Sequence, residues 1–178
     1  MAALFKKAEI ENDEYSNYTL FSLFSIGCFD LRNSNHTPSA KEECRLANFF
    51  LKRALEINPN NGLTLYFTGS NYRAGSGVKQ DMSKAVYYYE KAYSVGGNKI
   101  IAAGSSLVII YLYGINGFPQ DFKKTKYYLE MIAKDNPKGK NQYYLRNFDS
   151  LVFLAKDSKK IDECKQKDKD SYVWVKNV

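Results

Sequence analysis

The sequence is poor in the residues that build catalytic and metal centres. Among its 178 residues it has one histidine, His36, and three cysteines, Cys28, Cys44 and Cys164. A single histidine cannot form a multi-histidine zinc site, and no two of the cysteines have the spacing of a metal-binding pair. Neither Cys28 nor Cys44 stands in a sequence context typical of a Cys–His nucleophile pair. We therefore expect a protein that is not an enzyme and that holds no metal and no cofactor.

The sequence also lacks any sustained alternation of apolar and polar residues, the pattern that indicates half-buried β-strands. Only four prolines interrupt it, so long helices are permitted. Aromatic residues make up 15% of the chain, which excludes a disordered protein. These features predict an all-α fold in one compact domain.

No membrane-spanning or targeting segment is evident. Residues 100–120 contain no charge, but glycine, asparagine and proline interrupt them, and a buried central helix is the better interpretation. Residues 1–9 lack the apolar core of a signal peptide, although a leader removed from a secreted protein would leave the same pattern. The compartment is left open between the bacterial cytoplasm and the periplasm.

Two stretches about forty residues apart are nearly the same, and such self-similarity is typical of a helical repeat protein. With one residue inserted in the second loop, the matched pairs are Tyr72 with Tyr111, Gly75 with Gly114, Asp81 with Asp121, Lys84 with Lys124, Tyr88 with Tyr128 and Glu90 with Glu130. Each copy has an apolar stretch, a glycine turn, an aspartate suited to cap a helix, and a run of helix formers. The repeated unit is therefore predicted to be helix, tight turn, helix.

The glycines of the turn, Gly75, Gly77, Gly114 and Gly117, are expected to adopt positive φ. A weaker first copy lies upstream, since the segment 47–54 matches 85–92, and its Gly27 stands near the place of Gly69. The predicted boundaries are 15–57, 61–97 and 100–136 for the three repeats and 140–156 for a capping helix. The domain is therefore expected to span 1–156, with a charged C-terminal segment at 157–178.

The second copy is similar to the Sel-one-like repeat, a relative of the tetratricopeptide repeat. The residues that carry the resemblance are Gly69, Tyr72, Gly75, Gly77, Val78, Asp81, Lys84, Ala85, Tyr88, Lys91 and Ala92. The third copy departs from the pattern with Val108 and Thr125, and the first departs most. The resemblance implies a short right-handed α-solenoid and a bacterial scaffold or adaptor that binds other proteins.

In solenoids of paired helices the first helices line the concave face, which is where partners bind. The tyrosine register predicts that this face carries Phe24, Leu31, Tyr66, Ser70, Arg73, Ser105, Ile109 and Leu112. Aromatic residues combined with arginine are typical of binding hot spots. The alternative for any one of these residues is that it packs on the capping helix or the folded-back tail.

Cys28 falls late in one predicted helix and Cys44 early in the next, so antiparallel pairing brings them near each other. A disulfide between them is one outcome and free buried thiols are the other. We expect free thiols.

The net charge of +7 is uneven. Residues 1–60 carry seven basic and eight acidic side chains, while 61–178 carry nineteen and eleven. This asymmetry favours an acidic protein partner, bound by a monomer or in a one-to-one complex. Nucleic acid is disfavoured because the lysines alternate with acids and no nucleic-acid motif occurs. The resemblance extends to small proteins that neutralise a secreted antibacterial effector. The alternatives are an adaptor for host or envelope proteins and, from another class, a cell-wall-ligand binder or enzyme.

Overall fold

The computed structural model describes residues 1–30 and 38–157, and this part of the chain is helical with no β-strand. Its α-helices are α1 (Ala2–Glu9), α2 (Glu14–Asp30), α3 (Pro38–Ile57), α4 (Gly62–Ala74), α5 (Met82–Gly96), α6 (Ile101–Tyr113), α7 (Phe122–Asp135), α8 (Asn141–Arg146) and α9 (Phe148–Lys156). The predicted fold class, an all-α arrangement of helix–turn–helix repeats, is confirmed.

The chain divides into two compact units, Met1–Ile100 and Ile101–Val178. In the first unit α2 pairs with α3 and α4 pairs with α5; in the second α6 pairs with α7. Each pair corresponds to one predicted repeat. The prediction of a single solenoid domain over 1–156 stays a prediction.

The hairpin of α4 and α5 begins and ends as its sequence predicts. The Asn61 side chain accepts hydrogen bonds from the first turn of α4, and the Asp81 carboxylate accepts one from the backbone N–H of Lys84 at 3.0 Å. Between the helices the four predicted turn glycines of the two clear repeats have positive φ, from 62° to 78°. At Gly77 the turn also needs the missing side chain, because an added Cβ would lie 2.5 Å from the carbonyl oxygen of Cys44.

The first hairpin is covered at its N-terminal end by α1, a helix that the sequence analysis missed. Phe5 of α1 packs edge-on against Phe50, with ring centroids 5.6 Å apart. The guanidinium of Arg53 and the side-chain amide of Asn17 both donate to the carbonyl oxygen of Ala8. α1 therefore covers part of the apolar surface of the first helix pair.

In the second unit α6 and α7 repeat the capping seen in the first, with Asp121 accepting from Lys124 N–H at 2.9 Å. The predicted single capping helix over 140–156 is instead two helices, because Asn147 leaves the helical conformation (φ −105°, ψ 26°). The amide of Gln120 holds α9 in place by donating to the carbonyl oxygen of Ala155. Beyond residue 157 the predicted C-terminal segment lies outside the described residues.

Cys28 of α2 and Cys44 of α3 form a disulfide, with their Cα atoms 4.7 Å apart. The structure therefore has the bridged state rather than the free thiols that we expected. Composition and an odd cysteine count could not reveal the pairing, because it depends on the register between α2 and α3.

Candidate partner-binding surface

One face of α4 presents apolar side chains to solvent. Leu63, Tyr66, Phe67 and Ser70 follow one another at intervals of three and four residues along the helix, so they lie on one side. The opposite side carries Leu65, which is fully buried. Leu63 is 47% exposed, and the other three are half-buried. This face of α4 is therefore exposed at Leu63, while Phe67 packs against the core of the first hairpin.

Helix α2 lies beside α4 through aromatic contacts. The ring of Phe67 is 5.2 Å from Phe21 and 6.2 Å from Tyr18, centroid to centroid. Tyr66 continues the cluster at 5.2 Å from Phe67. Burial raises the pKa of Tyr18. The first helices of the first two repeats are thus neighbours in space.

On α2, Leu23 and Ile26 are exposed apolar residues, at 42% and 67% exposure. The N-cap Asp13 and the buried pair Ser16–Asn17 correspond to the N-cap Asn61 and the buried pair Thr64–Leu65 of α4, forty-eight positions later. By the same offset Phe24, which stacks on Phe50, corresponds to Tyr72, which stacks on Tyr88. Leu23 and Ile26 then correspond to positions in the last turn of α4. We call these exposed residues of α2, together with the apolar face and the last turn of α4, the first-helix surface. Its members are Leu23, Ile26, Leu63, Tyr66, Phe67 and Arg73.

Three residues predicted for partner binding, Tyr66, Ser70 and Arg73, lie together on α4. The Ser70 hydroxyl is 3.1 Å from the hydroxyl of Tyr89, so it is hydrogen-bonded within the hairpin. The side-chain amide of Gln80 donates to the backbone carbonyl of Arg73 and holds the end of α4. Tyr66 and Arg73 remain members of the first-helix surface.

Phe24, predicted for the first repeat, does not belong to this surface. It stacks on Phe50 with centroids 5.8 Å apart and meets Phe5 edge-on, so it faces the core. Leu31 lies outside the described residues. The alignment of Gly27 with Gly69 is six positions away from the offset that the N-caps and the Phe24 stack give. The capping residues Asp13 and Asn61 could have given the correct register, whereas α2 has almost no hydrophobic periodicity.

The residues predicted for the third repeat belong to the second unit. Leu112 is 2% exposed and packs in a cluster with Ala155 of α9, and Ile109 packs against the same cluster. Ser105 is half-buried. Leu112 and Ile109 therefore pack on the capping helix, which is the alternative given for them in the sequence analysis.

Part of the basic charge of the second unit is engaged with aromatic rings. The ammonium of Lys126 lies 5.9 Å from the ring centroid of Phe148, and that of Lys156 lies 5.5 Å from Phe122. The lysines exposed on α7 and after it, such as Lys123 and Lys134, keep this unit basic.

Neither a metal-binding cluster nor a membrane-spanning helix occurs among the described residues. Within residues 1–30 and 38–157, no group of three or more histidine, cysteine, aspartate or glutamate side chains is arranged to hold a metal ion. None of the helices described is long and apolar enough to cross a membrane. His36 lies outside the described residues.

Comparison with protein families accounts for the two clear repeats. A family model described as Sel1 repeat matches residues 63–96 and 103–137. The chain contains two Sel1 repeats. The matches coincide with the second and third predicted repeats, while the first repeat lies outside them and rests on its helical hairpin alone. Comparison with curated proteins gave no match. Sel1 repeats generally mediate protein–protein interaction.

In the first matched Sel1 repeat, the shared tyrosines and lysine close the hairpin. Tyr72 of α4 and Tyr88 of α5 stack with ring centroids 5.7 Å apart and an interplanar angle of 2°. The ammonium of Lys84 lies 5.1 Å from the centroid of Tyr72. Burial, followed by the neighbouring Tyr72, raises the pKa of Tyr88.

The second matched Sel1 repeat has the same arrangement. Tyr111 and Tyr128 stack at 6.1 Å and 4°, and the Lys124 ammonium lies 4.7 Å from the centroid of Tyr111. The same ammonium donates a hydrogen bond of 2.9 Å to the Tyr111 hydroxyl. Both copies use these residues inside the hairpin, so the stacked tyrosines are packing residues.

Proposed function

We propose that this protein binds one specific protein partner through the first-helix surface and performs no catalysis. The observation that carries the proposal is the exposure of Leu23, Ile26 and Leu63 beside the half-buried aromatics of α4. Side chains of this size are seldom left in water as a contiguous set unless another surface covers them. Aromatic anchors with an arginine at their edge are the composition of an interface centre.

The partner has an apolar patch with acidic residues around it. The apolar patch is required by the first-helix surface itself. The acidic rim follows from the chain's net charge of +7 and from the exposed lysines of α7, because opposite charge speeds encounter and selects against basic competitors. The complex is expected to be one-to-one.

The sharpest form of this function is an immunity protein that neutralises a secreted antibacterial effector by covering its active site. Support comes from the small size of the chain and from its Sel1 repeats, which generally mediate protein interaction. The second form is an adaptor that holds host or envelope proteins. A cell-wall-ligand binder or an enzyme would need a polar cavity, and no cluster of polar side chains in the described residues indicates one.

Matched variants test the surface. Tagged wild-type chain and an Ile26→Asp variant are used to capture proteins from the source organism's lysate, with quantitative mass spectrometry. Val95→Asp is the control, since Val95 is an exposed apolar residue too (45%) but lies on α5. We expect one partner recovered with wild type and with Val95→Asp but lost with Ile26→Asp. Far-UV circular dichroism confirms that both variants are folded.

The outcome separates the candidate functions. A single stoichiometric hydrolase whose activity the purified chain abolishes would establish the immunity form. Several substoichiometric partners that all depend on Ile26 would establish the adaptor form. A second surface variant, Leu63→Asp, is tested in the same way. If Ile26→Asp and Leu63→Asp both recover every protein that wild type captures, the first-helix surface is not the binding site.

A further inference from the structure

We infer that the Cys28–Cys44 disulfide is a redox control of the first-helix surface, so that thiol reduction loosens α2 and weakens partner binding. The consequence for binding rests on the proposed function, whereas the loosening of α2 rests on the structure alone. The bridge is the only covalent link between the two helices of the first hairpin in the described residues, apart from the main chain.

The bridge sits at the end of α2 that carries the exposed apolar residues. Cys28 is two positions after Ile26 and five after Leu23, so these side chains project from the last two turns of the helix that the bond holds. The next described residue after α2 is Pro38, where α3 begins. The sequence between α2 and α3, residues 31–37, contains no glycine, whereas the other two hairpins turn on glycines. A covalent tie is therefore a stronger restraint here than it would be in the glycine-closed hairpins.

The bond is also connected to the second hairpin through Asn48. The backbone carbonyl of Cys44 accepts a hydrogen bond of 2.9 Å from the Asn48 side chain. The same amide nitrogen donates to the carbonyl oxygen of Ser76 in the glycine turn, and the Asn48 oxygen accepts from Asn71 at 2.8 Å. Gly77 packs directly on Cys44. A shift of Cys44 would therefore disturb the turn that ends α4.

Reduction can occur by ordinary thiol–disulfide exchange. Cys28 is partly exposed while Cys44 is 6% exposed, so an external thiolate attacks the sulfur of Cys28 and Cys44 leaves as a thiolate. A second external thiol then releases Cys28 as a thiol, and the two external thiols end as a disulfide. Two electrons pass from a low-molecular-weight dithiol to the protein, and each protein thiolate takes up a proton.

The reduced state is expected to be folded but less stable. The bond closes a loop with a sequence separation of 16 residues, and cross-links of that size lower the entropy of the unfolded chain enough to raise Tm by about 10 °C in a unit of this size. The helix pairing of α2 with α3 also depends on the aromatic core around Phe50, which reduction leaves intact. Local loosening, and not global unfolding, is the expected result at room temperature.

The test compares oxidised and dithiothreitol-reduced protein by hydrogen–deuterium exchange and mass spectrometry. Alkylation without reductant should modify one thiol, and after reduction three. In the reduced chain we expect faster exchange in peptides covering residues 22–30, 41–48 and 75–78. Exchange in peptides of α7 should be the same in the oxidised and reduced chains. Cys28→Ser should show the fast exchange with or without reductant. Cys164→Ser, the matched control, should behave as wild type.

Three thiols alkylated without reductant, or identical exchange in the oxidised and reduced chains, would overturn the inference. The partner recovered with wild type is then bound to the oxidised protein, the reduced protein and Cys28→Ser. A fall in affinity of about tenfold on reduction is expected. Unchanged affinity with altered exchange would show that the bridge orders α2 without controlling binding. Exchange that changes as expected in a chain with no Ile26-dependent partner would leave the structural inference standing and remove only the proposed function.

Discussion

Replacing Gly69 by valine is expected to destabilise the hairpin of α4 and α5 by about 2 kcal/mol. A Cβ at this position would lie 2.9 Å from the ring of Tyr89 and 3.1 Å from the carbonyl oxygen of Ala85. Tyr89 is 1% exposed and cannot turn away into solvent. Overpacking of this kind costs about 1–3 kcal/mol, and the better helix propensity of valine offsets only a few tenths.

The third repeat shows how this clash is resolved. Val108 occupies the position of Gly69, and Leu129 occupies the position of Tyr89. A larger residue on the first helix is matched by a smaller one on the second. The double variant Gly69→Val/Tyr89→Leu is therefore expected to be more stable than the two single changes would predict, by about 1–2 kcal/mol of coupling. Tyr89→Leu alone should be destabilising, because it leaves a space and removes the hydrogen bond to Ser70.

Urea denaturation followed by far-UV circular dichroism measures these free energies, with Gly69→Ala as an intermediate in size. The expected order of stability is wild type, Gly69→Ala, Gly69→Val. Strict additivity of Gly69→Val and Tyr89→Leu would refute the reasoning, since the two side chains would then not share one space. A Gly69→Val variant as stable as wild type would refute the close approach of α4 to α5.

Two further predictions address the turns and the lysine–tyrosine contacts. Gly77→Ala should cost about 2–4 kcal/mol of unfolding free energy, because it adds a clash with α3 to the strain of positive φ. Gly117→Ala, which has positive φ but nothing within 4 Å of the added Cβ, should cost only about 1 kcal/mol; equal costs would contradict the packing argument. Lys124→Met should lower the free energy of unfolding by about 1 kcal/mol. It removes the hydrogen bond and the cation–π contact to Tyr111 but keeps the apolar stem of the side chain. Lys123→Met, on the exposed face, should leave the free energy of unfolding unchanged in the same urea denaturation assay.

The second and third repeats could be predicted from sequence to within a few residues, because their boundaries are fixed by local chemistry. Asp81 and Asp121 cap α5 and α7, and Gly75 and Gly114 end α4 and α6. Each of these residues acts on its own neighbouring turn, so a single sequence is enough to locate it. The pairing of the helices then follows from the shortness of the turns.

The first repeat could be predicted only in outline, since its register depends on tertiary contacts. The alignment of Gly27 with Gly69 is six positions away from the correct alignment of α2 with α4. What fixes the register is the packing of Phe24 on Phe50 and the bond between Cys28 and Cys44. Helix α1 was missed for a similar reason: it is short, and it is stabilised by contacts such as that of Ala8 with Arg53 on a distant helix.

The contrast between the two Sel1 repeats indicates which residues carry specificity. Inside the hairpins both copies keep the stacked tyrosines and the lysine above them. On the outward face of the first helix they differ: Tyr66 and Phe67 are replaced by Ser105 and Ser106 at the equivalent positions. Tyr66 also packs on Tyr89 of α5, with ring centroids 5.7 Å apart, so part of this difference serves the helix pair itself. Truncation of a large aromatic at an interface costs far more binding energy than truncation of serine. The binding free energy of the proposed complex is therefore expected to come mainly from the first unit, with the basic second unit contributing to the rate of encounter.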